Sequence, residues 1–440
     1  MFDKVLVANR GEIALRVIRG CRDLGVHTVA VHSEADRTAP FVLMADEAVE
    51  IGPPPSAQSY LMIDRIIDAA KQTGAQAIHP GYGFLSENQD FARACQDNGI
   101  VFIGPPAEAM AAMGEKVPAR ERMRDSGVPV VPGSDALDSV EDAVAEAARI
   151  GYPVLIKASA GGGGIGMRVA RSEQELRESV ETAKSTAKRA FGNETVFLER
   201  YLDEPRHIEI QVLGDVFGNV IHLGERECSI QRRHQKIVEE TPSPVIDDTM
   251  RARMGQAAVT AAQAVGYVNA GTVEFIYRHG EFYFLEMNTR LQVEHPITEL
   301  VYGVDLVAEQ LRVASGEELS LRQEDMAPHG HAIECRVNAE QYRKGFLPSP
   351  GQVTGYHEPA GPGVRVDSAL VGPALVSPNY DPMIAKLIVH AHERGAAIDR
   401  MRRALYEYIV TGINTNIPYH LALMSHPEFR EGRYSTHFID

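Results

Sequence analysis

Five polar side chains alternate with mostly apolar ones in the segment FLEMNTRLQVEHP, residues 284–296; they are Glu286, Asn288, Arg290, Gln292 and Glu294. Successive side chains of an extended chain point to opposite faces, so these five would share one face of a strand. We therefore expect a wall of two carboxylates, two amides and a guanidinium here, and the other motifs of the chain indicate what it binds.

Glu274 and Glu286 lie on one predicted hairpin. With a three-residue loop, His279–Glu281, the two carboxylates would lie opposite each other on one face, whereas an even-numbered loop would place them on opposite faces. Facing carboxylates repel unless a cation bridges them, and Mg²⁺ held by carboxylates and nucleotide phosphates is the natural occupant. A solvent-facing strand is the alternative for either glutamate alone, but the pair followed by Asn288 and Arg290 favours a metal site.

The segment KASAGGGGIGMR, residues 157–168, places four successive glycines between two apolar strands. Without Cβ atoms, their backbone N–H groups can approach an anion closely, and Lys157 can reach the same phosphates. A flexible linker is the alternative, but a linker would not lie between two strands beside a lysine. The spacing is not that of a P-loop, so we expect phosphate binding of another kind.

Two further motifs suggest ligand contacts. QRRHQKIVEE, residues 231–240, concentrates basic residues in an acidic chain, which indicates an anion-binding loop or, equally, a solvated charge run. HPGYGFLSE, residues 79–87, follows a strand at the edge where open α/β sheets bind ligands; an ordinary tight turn is the alternative. His207 and Glu209 alternate on one strand, but a zinc site would need a third ligand and no HExxH occurs, so zinc is not expected.

The composition argues against several classes of protein. Lys and Arg total 44 against 60 Asp and Glu, a net charge of −16, which disfavours nucleic acid as a partner. No run of about 18 apolar residues occurs, so no membrane span is expected, and the first residues lack the apolar stretch of a signal peptide. Four cysteines without a CxxC pair fit a reducing compartment, and we expect a cytoplasmic protein.

The order of the predicted elements indicates three domains in the 440 residues. Strands alternate with helices at the start, which predicts a Rossmann-like domain with a doubly wound parallel sheet in residues 1–112. Residues 113–329 would form a second domain. It contains a small unit, residues 129–202, whose order of strand, helix, two strands, helix and strand around a glycine loop is typical of a mobile lid. Residues 330–440 would form a further α+β domain.

Six motifs occur in the order and spacing of one enzyme family: VANRGEIALRVIR, HPGYGFLSEN, KASAGGGGIGMR, RRHQKIVEE, EMNTRLQVEHPITE and FLPSPG. Over essentially its whole length the chain resembles biotin carboxylase, the ATP-grasp enzyme or enzyme component of acetyl-CoA, propionyl-CoA and pyruvate carboxylases. The resemblance implies an N-terminal biotin carboxylase domain, an ATP-grasp domain with a mobile lid and a C-terminal biotin carboxylase domain. It also implies that ATP, Mg²⁺ or Mn²⁺, bicarbonate and carrier-bound biotin are bound.

The resemblance implies a role for each matching residue. ATP contacts would come from Lys116, Lys157, Gly161, Gly162, Gly163, Gly164, Glu199, Arg200, Leu202, His207, Gln231, His234, Glu274, Glu286 and His437. Mg²⁺ would be held by Glu274 and Glu286, supported by Asn288. Bicarbonate would be cradled by Lys236, Arg290, Gln292 and the backbone of Val293. The general base would be Glu294, the biotin enolate would be stabilised by Arg336, and the biotin pocket would be bordered by Tyr82 and Gly83.

The implied reaction begins when Glu294 takes the proton of bicarbonate as it attacks the γ-phosphate of ATP. Lys236 and Arg290 offset the charge, and a planar guanidinium suits a planar oxyanion. The resulting carboxyphosphate breaks down to CO2 and phosphate. In the family's usual scheme that phosphate deprotonates the ureido nitrogen of biotin, which attacks CO2 while the biotin oxygen is held by Arg336. A closed lid would exclude the water that hydrolyses carboxyphosphate.

The chain departs from the family pattern at two points. Ile165 stands where relatives often have Lys or Arg, so phosphate contact there would come from the backbone. No Met-Lys-Met occurs, so the biotinylated lysine should lie on another chain or on a part of the protein outside this sequence. We therefore expect a biotin carboxyl carrier protein and a carboxyltransferase as partners. Family members commonly form homodimers through the first and last domains, and Arg19 and Asp23 are compatible with such a contact.

The final acceptor of the carboxyl group is open at this point. The leading hypothesis is the first half-reaction of acetyl-CoA or acyl-CoA carboxylase, which would supply malonyl-CoA for fatty acid biosynthesis. The alternatives among enzymes are the biotin carboxylase of propionyl-CoA or pyruvate carboxylase and another ATP-grasp ligase; Arg336 and the segment 290–294 favour bicarbonate and biotin. The alternative outside enzymes is a nucleotide-binding regulatory protein without catalysis, and the ionisable groups retained at the matched positions argue against it.

Overall fold

The computed structural model describes residues 1–114, 116–158, 167–191, 194–233 and 235–439, with the side chains of residues 116, 117, 190 and 191 excepted. The described residues separate into two compact units. The larger unit contains Met1–Val128, Arg206–Ile276 and Leu285–Asp440, and the smaller unit contains Pro129–Pro205 and Tyr277–Phe284.

The first part of the larger unit is a parallel sheet with helices on it. Its strands are β1 (Lys4–Val7), β2 (His27–Ser33), β3 (Glu47–Gly52), β4 (Ala77–His79) and β5 (Val101–Phe102). Its helices are α1 (Gly11–Asp23), α2 (Pro40–Met44), α3 (Ile63–Thr73) and α4 (Gln89–Asp97). The strand order is β3-β2-β1-β4-β5 and all neighbours run parallel. The α1 helix buries Ile13, Val17 and Cys21 because they recur on one helix face. The predicted doubly wound sheet is therefore confirmed.

The smaller unit follows α5 (Ala107–Gly114) and α6 (Lys116–Asp125) along the chain. Its elements are α7 (Val140–Ile150), β6 (Val154–Ala158), β7 (Arg168–Ala170), α8 (Glu173–Phe191) and β8 (Val196–Arg200). The strands form an antiparallel sheet in the order β7-β6-β8, and α7 and α8 pack small apolar side chains on it. Ser139 begins α7 with a reciprocal capping box to Asp142. The first strand predicted for this unit is reduced to two isolated bridges, Val130 to Phe284 and Gly133 to Glu199.

The remaining strands and helices belong to the rest of the chain. The strands are β9 (Arg206–Gly214), β10 (Val220–Arg232), β11 (Gln235–Thr241), β12 (Asn269–Arg278), β13 (Glu281–Asn288), β14 (His331–Asn338), β15 (Glu340–Gln341), β16 (Leu347–Pro348), β17 (Gly351–Val353), β18 (Gly355–His357), β19 (Val364–Ser368), β20 (Ala374–Val376), β21 (Met383–Ala391) and β22 (Ile409–Thr411). The helices are α9 (Asp248–Gln263), α10 (His295–Tyr302), α11 (Leu306–Ala314), α12 (Arg394–Glu407), α13 (Ile417–Ser425) and α14 (Pro427–Arg430).

A second large sheet runs in the order β13-β12-β9-β10-β11-β14-β21-β19. The pairing of β11 with β14 is antiparallel and joins the strands before residue 300 to those after residue 330. The boundary predicted between residues 329 and 330 therefore falls between two strands of one continuous sheet. This continuity places side chains of β14 beside those of β11, whereas the sequence treats them as members of different domains.

The turn between β12 and β13 differs from the expected one. It contains two residues, His279 and Gly280, whose positive φ angles of 49° and 80° are those of a type I′ hairpin. The predicted three-residue loop is wrong, so the argument that placed Glu274 directly opposite Glu286 does not hold. The expectation that the five polar side chains of residues 284–296 share one face of a strand is also wrong, because β13 ends at Asn288 and the chain then bends into α10. Any convergence of the later polar side chains must come from that bend.

The bend is anchored by apolar packing. Leu291 lies between two of the polar residues and is fully buried in a core that also contains Val17 of α1 and Leu311 of α11. Burying a leucine side chain contributes about 2 kcal/mol, so this contact fixes where the polar neighbours of Leu291 can lie. Among the described residues, no helix combines the length and the apolar character needed to cross a bilayer.

Glu240 of β11 is a buried carboxylate that ties the second sheet to the end of the chain. It accepts from His331 Nε2 at 2.7 Å, from Arg394 Nε and Nη2 at 2.7 and 3.0 Å, and from the Tyr434 hydroxyl. Burial alone would raise the pKa of Glu240, but these partners outweigh it and lower the pKa to about 2 from the usual 4.5. The ionised carboxylate therefore stabilises the fold above the usual pKa, and this stability is lost as the pH falls toward 2.

We expect Glu240→Gln to lower stability by about 3 kcal/mol, because it leaves the largely buried guanidinium of Arg394 without its anion. The thermal midpoint at pH 7 should fall by several degrees, and the acid-induced loss between pH 5 and 3 should become shallower than in the unchanged protein. The matched control is Glu407→Gln, since Glu407 forms a half-exposed pair with Arg403 at 2.8 Å and should change stability by less than about 1 kcal/mol. Equal midpoints for the two variants would contradict the assignment.

Candidate active site

Lys236 of β11 lies at the centre of a buried group of carboxylates. Its Nζ donates to Glu274 Oε1 at 2.9 Å, to Glu294 Oε1 at 2.8 Å and to Glu209. Burial alone would lower the pKa of Lys236, but the three carboxylates raise it well above its ordinary value. Lys236 is thus a fixed cation whose three N–H donors all point at anionic side chains.

Glu274 has polar partners at both of its oxygens. Its Oε1 also accepts from Asn288 Nδ2 at 2.8 Å and from Gln292 Nε2 at 3.0 Å, and its Oε2 lies 3.1 Å from His207 Nε2. Burial would raise the pKa of Glu274, but Lys236 and His207 hold it well below the usual range. Glu274 is therefore ionised.

His207 connects this carboxylate to a further polar residue. Its Nδ1 lies 3.0 Å from Gln231 Nε2, and Gln231 pairs directly with Lys236 across β10 and β11. Burial lowers the pKa of His207, but Glu274 more than offsets this and the pKa is raised. Glu274 therefore favours the protonated form of His207.

Glu294 lies between two cations. Its Oε1 accepts from Lys236, its Oε2 accepts from Arg336 Nη2 at 3.0 Å, and Arg336 Nε donates to Glu239 Oε1 at 2.7 Å. Burial would raise the pKa of Glu294, but Lys236, Arg336 and Arg226 lower it below its usual range. An anion that bound Lys236 would share this positive charge, so the basicity of Glu294 would rise as the anion arrives.

Arg290 faces the loop after β4. Its Nε donates to Glu87 Oε2 at 3.0 Å and its Nη2 donates to Asn288 Oδ1 at 2.9 Å, while Glu87 Oε1 accepts from the backbone N–H of Thr289 at 2.9 Å. Glu87 ends the motif HPGYGFLSE, so the motif reaches the polar segment directly. The sequence did not indicate that Glu87 is a partner of Arg290.

Tyr82 belongs to the same loop and contacts a different part of the molecule. Its hydroxyl donates to Glu12 of α1, and Gly83 beside it has a φ of 69°, which favours glycine. The two predicted biotin residues therefore lie in a turn that α1 holds in place.

Arg226 of β10 is a residue that the sequence analysis missed. It is fully buried and pairs with Glu209 across β9 and β10, so the two side chains share one face of the sheet. Its five N–H donors are all used; the acceptors are Glu209 Oε1, Gln211 Oε1 at 2.7 Å, Thr298 Oγ1 at 3.0 Å, Thr272 Oγ1 at 3.1 Å and Gln292 Oε1 at 2.7 Å. Gln292 in turn donates to Glu274. Arg226 therefore positions two of the carboxylates that contact Lys236: Glu209 directly, and Glu274 through Gln292.

From the sequence, a zinc site was rejected because a third ligand beside His207 and Glu209 was lacking. That reason is wrong. His207, Glu209 and Glu274 each offer an atom within 4.8 Å of the others, so a third donor is present. The Lys236 ammonium contacts both glutamates, however, and serves as their cation.

Mg²⁺ takes oxygen ligands, and the carboxylates of Glu274 and Glu286 are ligands of that kind. Glu286 is partly buried on β13, two residues before Asn288, and therefore lies on the strand face that carries Asn288. Asn288 Nδ2 contacts Glu274, so Glu286 lies two residues along β13 from a partner of Glu274.

Family models and individual relatives match the chain over almost all of its length. The family models are "Biotin carboxylase, N-terminal domain" at residues 1–110, "Carbamoyl-phosphate synthase L chain, ATP binding domain" at residues 115–322 and "Biotin carboxylase C-terminal domain" at residues 334–440. Biotin carboxylase 1 of Bacillus subtilis is 56% identical, with 100% of this chain and 98% of the relative covered. The chain belongs to the biotin carboxylase family.

Other members of the biotin carboxylase family serve different carboxylases. A pyruvate carboxylase subunit of Methanothermobacter thermautotrophicus is 57% identical, with 100% of this chain and 90% of the relative covered. The biotin carboxylase domain dimer of 2-oxoglutarate carboxylase from Hydrogenobacter thermophilus, solved with MgADP, ADP and bicarbonate, is 51% identical with a TM-score of 0.89 and covers 100% and 97% of the two chains. The predicted family, the three-part fold and the ATP-dependent ligase activity are confirmed, whereas the carboxylase served is not distinguished.

As a biotin carboxylase, the chain uses ATP, Mg²⁺ and bicarbonate to carboxylate carrier-bound biotin. Several residues predicted to bind ATP lie in the smaller unit. Lys157 of β6 donates to Glu199 of β8 at 2.7 Å, and Arg200 Nη1 lies 3.2 Å from Glu281 Oε2 and 3.4 Å from the Tyr283 hydroxyl. Leu202 follows β8 and is partly buried.

Several residues predicted to bind the nucleotide lie wholly or partly outside the described residues. The glycines 161–164, Ile165 and His234 lie outside the described residues, as does the side chain of Lys116. His437 is described and exposed; its backbone N–H donates to Ser435 Oγ at 3.3 Å. Its assignment to the nucleotide stays a prediction.

Proposed function

We propose that the cluster around Lys236 is the place where this biotin carboxylase activates bicarbonate. The observation that carries the proposal is the placement of Glu294 between Lys236 and Arg336. A buried carboxylate between two cations can accept a proton from an anion that those cations attract. Lys236, Arg290, Gln292 and the Val293 N–H would hold bicarbonate at this point.

Each side chain then has a defined chemical task. Glu294 takes the bicarbonate proton while the oxyanion attacks the γ-phosphate of ATP, and Lys236 offsets the developing charge. Arg336 contacts Glu294 and is buried, so its guanidinium is positioned to hold the ureido oxygen of biotin as an enolate develops. Tyr82 and Gly83 would border the biotin ring.

Residues for nucleotide binding are proposed in each unit separately. In the smaller unit, Lys157, Glu199, Arg200 and Leu202 would contact ATP together with glycines 161–164, as the family resemblance implies. In the larger unit, Lys116, His207, Gln231, His234 and His437 would do so. Mg²⁺ would be held by Glu274 and Glu286, and Asn288 would keep Glu274 in place; the bound ion neutralises charge on the phosphates during transfer.

We expect Glu286→Gln to raise the concentration of Mg²⁺ at half-maximal activity by roughly tenfold, equal to about 1.4 kcal/mol of binding free energy, because one anionic ligand is lost. The measurement is ADP release at fixed ATP and increasing Mg²⁺. Glu281→Gln is the matched control, since Glu281 lies at the other end of β13, is exposed and pairs with Arg200. An unchanged Mg²⁺ titration for Glu286→Gln would remove this residue from the metal site.

The proposed site predicts how ATP cleavage depends on the other substrates. ADP release from MgATP should require bicarbonate and should be strongly stimulated by free biotin or by a biotinylated carrier domain. ATP cleavage that is indifferent to both would favour another ATP-grasp ligase. The absence of cleavage under every condition would favour a nucleotide-binding regulatory protein.

The acceptor and partners can be proposed from the family. We propose a biotin carboxyl carrier protein and a carboxyltransferase that carboxylates acetyl-CoA or another acyl-CoA to malonyl-CoA or its homologue, for fatty acid biosynthesis. Pyruvate or another 2-oxo acid is the second candidate, which the names of two relatives favour. Purifying the biotinylated protein that accepts carboxyl groups from this chain, and assaying its complex with acetyl-CoA and with pyruvate, separates the two.

A homodimer is proposed from the charged surface of α1 and β19. A surface pocket of 420 Å³ is lined there by Arg19 and Asp23 together with Arg365 and Asp367, so both signs of charge lie side by side. Such a surface can pair with its own copy about a twofold axis. Sedimentation equilibrium should give twice the mass of the 48.2 kDa chain, and Asp23→Arg should shift the protein toward the single chain. A single-chain mass for the unchanged protein would overturn the dimer.

The cellular location and the domain limits also remain proposals. The four cysteines are buried as free thiols, which supports a reducing compartment such as the cytoplasm. The matches of the family models support the predicted divisions near residues 112 and 329.

A further inference from the structure

Lys386 of β21 is a fully buried lysine outside the cluster around Lys236. Its Nζ donates to the backbone carbonyl of Val293 at 2.9 Å, and lies 3.3 Å from Glu12 Oε2 and 3.7 Å from Asp367 Oδ2. Burying a lysine costs free energy unless anions and acceptors surround it, and these contacts supply both.

The sheet places Lys386 directly beside the site. Lys386 pairs with Arg336 across β14 and β21 and with Asp367 across β19 and β21, so the three side chains form a row on one face. Arg336 reaches the carboxylate of Glu294, and Lys386 reaches the carbonyl just before Glu294 in the chain. Arg336 and Lys386, which are paired neighbours in the sheet, therefore hold the side chain of Glu294 and the backbone carbonyl just before it.

The carbonyl that Lys386 holds belongs to the peptide plane between Val293 and Glu294. The preceding plane is held as well, because the Gln292 carbonyl lies 2.8 Å from His295 Nδ1 and accepts from the His295 N–H at 3.3 Å. This preceding plane carries the Val293 N–H that is proposed to face bicarbonate. Fixing two consecutive planes leaves the turn from Gln292 to Glu294 little rotational freedom.

We propose that Lys386 is a positioning residue for bicarbonate activation, acting by holding the Val293–Glu294 peptide through its ammonium group. The inference rests on the proposed assignment of bicarbonate to this turn. The same ammonium contacts Glu12, which accepts from Tyr82, so Lys386 also links the turn to the loop proposed to border biotin. Burial lowers the pKa of Lys386, but Glu12, Glu334 and Asp367 more than compensate and raise it, which keeps the ammonium charged.

A structural role is the competing explanation, because Lys386 also neutralises Glu12 and Asp367. The double variant Lys386→Met with Glu12→Gln separates the two roles. At pH 8, above the pKa of about 7 to which burial raises the Glu12 carboxyl, it removes one buried cation together with one buried anion, so the charge of the cluster stays balanced, but the hydrogen bond to the Val293 carbonyl is lost. The single variant Glu12→Gln is the matched control, since it alters the same cluster and keeps that hydrogen bond.

The experiment compares steady-state ADP release by the full-length chain at varied bicarbonate and at varied MgATP, with saturating biotin, together with the Kd for MgADP. We expect the double variant to raise the KM for bicarbonate about tenfold, as expected for losing a hydrogen bond from a charged donor, with the KM for MgATP and the Kd for MgADP changed less than about twofold. Glu12→Gln should leave the KM for bicarbonate within about twofold of the unchanged protein.

Three results would overturn the inference: a double variant with an unchanged KM for bicarbonate, an equal rise in Glu12→Gln, or a parallel rise in the KM for MgATP. Failure of the proposed function is distinguishable, because in that case the unchanged protein itself would show no ADP release that depends on bicarbonate and biotin. Lys386→Arg combined with Glu12→Gln restores a donor to the carbonyl but leaves the charge of the cluster unbalanced, so it should recover part of the affinity for bicarbonate if the donor is what matters, and none of it if only charge balance matters.

Discussion

Glu294→Gln is expected to reduce biotin-dependent ATP cleavage by roughly 10²–10⁴-fold, the usual contribution of a general base. The amide keeps the shape of the side chain but cannot take the bicarbonate proton. MgATP binding should stay within about twofold, because Glu294 contacts Lys236 and Arg336 rather than any group assigned to the nucleotide alone. The measurements are ADP release with biotin and bicarbonate, and MgADP affinity by calorimetry.

Glu239→Gln is the matched control for this change. Glu239 is also fully buried and also accepts from Arg336, at 2.7 Å, so both variants replace a buried carboxyl group beside the same cation, although burial raises the pKa of Glu239 to about 7 whereas the pKa of Glu294 is lowered. Glu239 is not among the acceptors of Lys236, and its variant should lose less than about tenfold in activity. Equal losses in both variants, or a loss of MgADP binding in Glu294→Gln, would assign Glu294 a structural role.

Arg226→Lys should have the next largest consequence, although it conserves charge. The guanidinium uses all five donors in a fixed plane, whereas an ammonium has three donors around one point and cannot reach the same acceptors. Gln292 Oε1 would lose the donor that Arg226 supplies, and Glu209 would be held less firmly. We expect stability to fall by at least about 3 kcal/mol and kcat/KM for bicarbonate to fall by about 100-fold. The measurements are thermal unfolding and ADP release at varied bicarbonate.

Arg251→Lys controls for the loss of a buried forked contact. Arg251 donates to both oxygens of Glu225, at 2.6 and 2.9 Å, and Glu225 is not among the acceptors of Arg226. This variant should lower the thermal midpoint without changing kcat/KM at a temperature where the protein is folded. If both variants changed kcat/KM alike, Arg226 would have no specific role in placing Gln292.

Much of the local structure could be predicted because it depends on neighbours in the sequence. The alternation of strands and helices indicated the parallel sheet of β1 to β5, since apolar runs of strand length separated by amphipathic helices have few other ways to be buried. The order of elements in the smaller unit followed for the same reason. The length of the β12–β13 turn could not be read, because His279 adopts a positive φ that its residue type does not demand.

For the cluster around Lys236, the sequence predicted which residues take part better than it predicted how they are arranged. The types of Lys236, Glu274 and Glu294 indicated ion binding, and the motif order indicated the family. The expected strand alternation was the wrong mechanism of convergence, because the chain bends after Asn288 and Leu291 anchors the bend in the core. Arg226 gave no signal of its own, since a lone arginine in a strand is usually solvated.

Residue identity and spacing along the chain were enough to determine the family, the succession of elements and the chemical types at the site. Only the tertiary structure determines which charged groups neutralise one another. Lys236 meets Glu209, Glu274 and Glu294 from three separate segments, and Lys386 meets the Val293 carbonyl across 93 positions of sequence. Buried charges are stable only with partners, and those partners are set by the register of β11, β14 and β21 in one continuous sheet rather than by proximity in the chain.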